Sequence, residues 1–148
     1  MPTPRRLVVF DALLFRALVV NDRRLFPDEI EAFTVAFRAR RFRVVVTEGI
    51  LREYGIQARN HPPFQVQPLL DELLRGRRAL YFEEYQLNRV PLEVLHLPRE
   101  HRRFVGDALA ARASYLVTDW RGWLRASGQT ERYGLRIVKP RRFVELEG

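Results

Sequence analysis

Two short apolar runs in the sequence each close on an acid: Leu7-Val8-Val9-Phe10-Asp11 near one end and Tyr115-Leu116-Val117-Thr118-Asp119 near the other. An apolar run of this length without polar alternation is the pattern of a strand covered on both faces, as strands are in parallel sheets. A carboxylate that follows such a strand falls at the carboxyl edge of the sheet, where open α/β folds hold their ligands. The pair therefore predicts a parallel sheet with an acidic edge, and raises the question of whether that edge binds a metal.

The 148 residues suffice for one domain with a core, and nothing in the composition marks a second, so residues 1–148 are read as a single domain. No apolar run approaches the roughly 20 residues of a membrane span, so a soluble protein with no membrane partner is expected. Met1 to Arg6 lead at once into the first run with no small-residue cleavage site, which points to a cytoplasmic location. The absence of cysteine excludes a disulfide framework and a thiolate metal site, so any metal would need oxygen or imidazole ligands.

The net charge of +8 rests on arginine, Lys139 being the only lysine. Guanidinium groups are planar bidentate donors that suit phosphate, so a polyanionic partner such as a nucleic acid is expected; a scattered, solvated arginine surface would give the same composition. The arginines cluster at Arg38-Arg40-Arg41-Arg43, Arg75-Arg77-Arg78, Arg99-Arg102-Arg103 and Arg141-Arg142.

Between the two runs the elements alternate. Ala12 to Val20 and the segment from Pro27 through Ile30, Phe33 and Phe37 read as helices. Phe42 to Val46 reads as a second strand, and Thr47 as the cap of a helix in which Ile50, Leu51 and Tyr54 line one face with Glu53 beside it. Val66, Leu69, Leu70, Leu73 and Leu74 form another helical stripe. Leu80-Tyr81-Phe82 and Val94-Leu95-His96-Leu97 read as strands or irregular segments. Arg99 to Ala113 reads as a helix packed through Phe104, Ala108 and Ala111. The Tyr115–Thr118 strand follows, then a short helix over Trp120 to Ala126, a break at Ser127-Gly128, and a last strand at Leu135 to Val138 before Pro140. The alternation implies an α/β fold with a mainly parallel sheet and helices on both faces.

The order of four features resembles the PIN-domain family: a first strand ending in Asp, a strand followed by Ile-Leu-x-Glu-Tyr (Ile50, Leu51, Glu53, Tyr54), a late helix with Phe-Val-x-x-Ala (Phe104, Val105, Ala108), and the strand Tyr-Leu-Val-Thr-Asp. The close from Tyr133 to Phe143 is similar to that of many bacterial members. The resemblance implies a three-layer α/β/α sandwich and an acidic cluster that binds Mg²⁺ or Mn²⁺ and cleaves RNA. It further implies a toxin of a toxin–antitoxin pair, an antitoxin protein as partner, and a homodimer. Hard divalent cations take carboxylate oxygens and can activate water at a phosphodiester, so the chemistry is coherent.

Position by position, Asp11 and Glu53 fit the family's first two acids. His101 stands where the third is expected, with Glu100 beside it, and Trp120 where the fourth is expected, with Asp119 one residue early. Ala12 and Leu13 replace the usual Thr and Asn. The implied metal ligands are thus Asp11, Glu53 and Asp119, with Glu100 or His101 completing the set; Asp107 would serve only in a different helix register. Each residue has a simpler reading. Asp11 and Asp119 could be helix caps, Glu53 a solvated side chain or a partner of Arg52 or Arg59, and His101, His61 and His96 surface or structural residues. Trp120 and Trp123 read as packing residues rather than a base-stacking platform. Two functions remain: a metal-dependent ribonuclease, or a degenerate PIN-like module that binds RNA or protein. A haloacid-dehalogenase-like phosphatase is disfavoured because Leu13 replaces its second Asp, and a nucleotide-binding fold by the lack of a glycine-rich first turn.

Overall fold

The computed structural model describes residues 6–11, 14, 42–60, 75–76, 79–87 and 99–147. The helices expected over Ala12 to Val20, from Pro27 and at Val66 to Leu74, the segment at Val94 to Leu97, and His61 and His96 lie outside them, apart from Leu14, which is helical.

Four expected strands are present close to their expected bounds, and the segment at Leu80 to Phe82, open between strand and irregular, is a fifth: β1 (Arg6–Phe10), β2 (Phe42–Thr47), β3 (Ala79–Phe82), β4 (Tyr115–Val117) and β5 (Arg136–Val138). They form a five-stranded sheet in the order β3-β2-β1-β4-β5, and every pairing is parallel. The chain builds outward from β1 through β2 to β3, then crosses back to place β4 and β5 on the other side. The strand order therefore reverses between β1 and β4, which is where doubly wound sheets open their ligand crevice. Val8↔Tyr115, Val9↔Leu116 and Phe10↔Val117 are in register, and the Asp11 N–H donates to the Val117 carbonyl at 3.0 Å. The two acid-tipped runs are thus neighbours that end side by side.

Helix α1 (Glu48–Asn60) starts as the sequence predicts. The Ile50 N–H donates to Thr47 Oγ1 at 3.1 Å, and Ile50 and Tyr54 are fully buried. Helix α2 (Arg99–Ala110) ends earlier than its apolar stripe. Arg112 adopts φ 59°, the Ala113 N–H bonds the Ala108 carbonyl and the Arg112 N–H bonds the Leu109 carbonyl, so a left-handed residue closes the helix before Ala113.

A short helix α3 (Arg121–Leu124) follows β4. The break expected at Ser127-Gly128 is instead helix α4 (Ser127–Thr130). The reason lies in Ser127: its Oγ accepts the Ile137 N–H at 3.1 Å, so the residue type that suggested a turn ties this segment to β5. A last helix, α5 (Pro140–Glu147), follows β5, where the apolar pattern read from the sequence places no further element. Its signals are a proline at the first helical position and Phe143, Val144 and Leu146 at helical spacing.

Strand alternation divides the core. On one face Phe143 of α5 meets Phe10, Phe42 and Tyr115 edge-on at 6.0, 5.4 and 5.5 Å between ring centroids. On the other, Thr47 donates through Oγ1 to Asp107 of α2 at 2.5 Å, so helical side chains reach both faces of the sheet. No helix of the described residues is long and apolar enough to cross a membrane.

Candidate active site

Asp11 is the best-held acid at the carboxyl edge. Its Oδ1 accepts the Leu14 N–H at 2.7 Å, which is the capping bond its position suggested. Its Oδ2 accepts the Thr118 hydroxyl at 2.6 Å, and the Asp119 main-chain N–H also donates to the carboxylate. Burial pushes the carboxyl above its ordinary 3.8, those donors pull it back, and the charge of Asp119 pushes it up again. Thr118 is buried and works in both directions, since its Oγ1 accepts the Trp120 N–H at 3.1 Å. One threonine thus fixes Asp11 to the turn that carries Asp119 and Trp120.

Asp119 has no such structural employment. The residue that precedes α3 as its cap is Trp120, and the Asp119 side chain is exposed and makes no hydrogen bond or ion pair with another described residue. Capping therefore accounts for Asp11 but not for Asp119.

Glu53 lies in the second turn of α1, half-buried. Of the two arginines expected as its partner, Arg52 lies 3.5 Å from Glu48 and the Arg59 side chain lies outside those described; Glu53 makes no hydrogen bond or ion pair with a described residue. The next residue, Tyr54, donates its hydroxyl to the Phe10 carbonyl at 2.6 Å. That bond anchors the second turn of α1 to the residue before Asp11. Burial raises the Tyr54 phenol well above 10.0, with the Asp11 charge adding to it, so the group stays a neutral donor.

Glu100 and His101 belong to the first turn of α2, and their side chains lie outside those described. Asp107 also lies at the carboxyl edge: it is buried and accepts the Thr47 hydroxyl, joining α2 to the end of β2, the strand beside β1. Its position on the Phe104–Ala108 packing face was the available sign of that role.

The two tryptophans separate. Trp123 is buried and stacks on Phe104 at 4.9 Å, as expected of a packing residue, but Trp120 is 41% exposed. Trp120 packs in part, its ring meeting Trp123 edge-on at 5.5 Å while the residue keeps contact with solvent.

The structure therefore brings Asp11 and Asp119 together and latches the Glu53 turn of α1 to the same strand end. Among the described residues no three His, Asp or Glu side chains converge as a metal-ligating group. The donors that do meet are oxygens, the type a hard divalent cation takes, and a buried carboxylate beside a second one carries a penalty that a cation would relieve. No model of a known protein family matches the chain, and no curated protein matches it.

Proposed function

We propose that the protein is a divalent-cation-dependent phosphodiesterase that acts on RNA, resembling the PIN-domain family in site and fold. The observation that carries the reading is the carboxylate pair at the strand-order reversal, in which Asp11 is held by three donors and the Asp119 side chain bonds to no other described residue. In this reading Asp11 is the fixed metal ligand, while Asp119 and Glu53 close on the ion, with Glu100 or His101 completing the set. A bound Mg²⁺ or Mn²⁺ would supply an activated water and charge neutralisation at the scissile phosphate. Thr118 and the Leu14 N–H orient the Asp11 carboxylate, and Tyr54 holds α1 in place. Exposed Arg121 and Arg125, one turn apart beside Trp120, offer donors to the RNA backbone.

A second reading, a PIN-like module that binds RNA without cleaving it, is favoured by Trp120, which stands where an acid is expected and faces solvent. Calorimetric Mn²⁺ titration separates the two. The nuclease reading expects binding in the wild type, its loss in Asp11→Asn, and RNA cleavage that stops with EDTA. No divalent binding at millimolar concentration refutes it. Cleavage that persists in an Asp11→Asn, Glu53→Gln double variant would assign the activity to a contaminant.

A further inference from the structure

We propose that Trp120 is a stacking platform for a nucleobase of single-stranded RNA, set at the mouth of the Asp11–Asp119 edge. The inference rests on RNA as the ligand of that edge but not on its cleavage.

Three observations support it. The first is exposure: Trp120, directly after Asp119, is 41% exposed as a residue, while its neighbour Trp123 is only 8% exposed. The second is rigidity. A Cβ added at Gly122 would fall 2.6, 2.7 and 2.9 Å from Cη2, Cζ2 and Cζ3 of Trp120, so the indole rests on a backbone that only glycine leaves open. Its edge meets Trp123 at 5.5 Å and 85°, and Trp123 in turn stacks on Phe104, which tilts against Tyr54 at 6.4 Å. A run of rings therefore leads from the exposed indole to the tyrosine that holds the strand end before Asp11. The third is backbone fixation: the Trp120 N–H is bonded to Thr118 Oγ1, the same hydroxyl that holds Asp11, and its carbonyl accepts the Leu124 N–H at 3.1 Å.

A preorganised, solvent-facing aromatic flanked by arginines is the arrangement by which proteins hold single strands, because every base has a face to stack and the phosphates supply the charge. Stacking is tolerant of base identity, so the platform would position the strand beside the carboxylates without reading its sequence.

The test is the binding of a short fluorescein-labelled single-stranded RNA to the full chain in EDTA, followed by anisotropy. Trp120→Ala is expected to weaken binding about tenfold, as the loss of one stacked base does, and Trp120→Phe to retain most of the affinity. The salt dependence should keep its slope, because no phosphate contact is removed. The chain has two tryptophans and Trp123 is buried, so quenching of intrinsic fluorescence by RNA should vanish in Trp120→Phe. Gly122→Ala keeps the indole but displaces it and should also weaken binding. If Trp120→Ala fails to fold, an abasic nucleotide in the RNA makes the same test on the wild type. Wild-type affinity in Trp120→Ala, or no RNA binding by the wild type at low salt, overturns the proposal; the latter would point to a protein partner. The nuclease reading fails separately: quenching and the Trp120 effects would stand while Mn²⁺ produced no cleavage. Conversely, Mn²⁺-dependent cleavage with unchanged affinity in Trp120→Ala removes the platform and leaves the nuclease.

Discussion

Thr118→Val replaces a buried hydroxyl with a methyl of similar volume and cuts two bonds at once, the one to Asp11 Oδ2 at 2.6 Å and the one from the Trp120 N–H at 3.1 Å. A bond to a charged group contributes about 1.5–3 kcal/mol, and an amide left without its acceptor costs about 1 more, so near neutral pH the loss should be about 3 kcal/mol. With an unfolding entropy of about 2.1 cal/mol/K per residue over 148 residues, that lowers Tm by about 10 °C. The loss should also depend on pH. Burial raises the Asp11 carboxyl above 3.8 in the folded protein, whereas the Thr118 bond lowers it. A folded carboxyl that holds its proton to higher pH than the unfolded one gives stability that is complete below the unfolded value and drains away as pH rises through the folded value. Removing the hydroxyl widens that window, so the variant loses more than the wild type between about pH 4 and pH 7. The difference should be about 1 kcal/mol, since charge-assisted bonds are about twice as strong as neutral ones. Urea unfolding followed by circular dichroism at both pH values measures it. A destabilisation near pH 7 below about 1 kcal/mol, or one equal at the two pH values, would mean that Thr118 does not hold a charged carboxylate.

Other perturbations address the frame around the site. Tyr54→Phe removes the buried hydroxyl bonded to the Phe10 carbonyl and should cost about 1–3 kcal/mol in denaturant unfolding. If Tyr54 also holds Glu53 in position, Mn²⁺ affinity should fall with it. Phe143→Ala empties the ring contacts among Phe10, Phe42 and Tyr115 and should cost about 3–5 kcal/mol, read as a shifted urea midpoint with unchanged slope. Arg112→Gly should do the reverse: an exposed non-glycine residue at φ 59° carries about 1 kcal/mol of backbone strain, so the glycine variant should melt at higher temperature. An unchanged or lower Tm would count against that strain.

The sheet was legible because its strands are buried on both faces and so appear as unbroken apolar runs, and Thr47 and Asp11 were legible as caps because capping acts through local spacing. What local spacing could not show were contacts across the chain. Asp107 is held by Thr47, 60 residues away, and Ser127 serves β5 rather than a turn of its own. The fate of Trp120 was hidden for the same reason: two tryptophans three residues apart look equivalent on a helix, yet one precedes the helix and is turned out by the strand end before it. The acids at the edge were identifiable as residues, whereas the difference between the saturated Asp11 and the unbonded Asp119 depends on donors supplied by other elements.

The hydrogen bond between Thr118 and Asp11 closes a loop of 107 residues. Bringing its ends together costs about 4 kcal/mol of chain entropy before any contact is rewarded. The β1–β2 half of the sheet can pair earlier in synthesis, but the β1–β4 seam must wait until residue 119 has left the ribosome. A growing chain therefore carries Asp11 and Glu53 without the strand that completes the edge, which stays open until β4 has emerged and paired with β1.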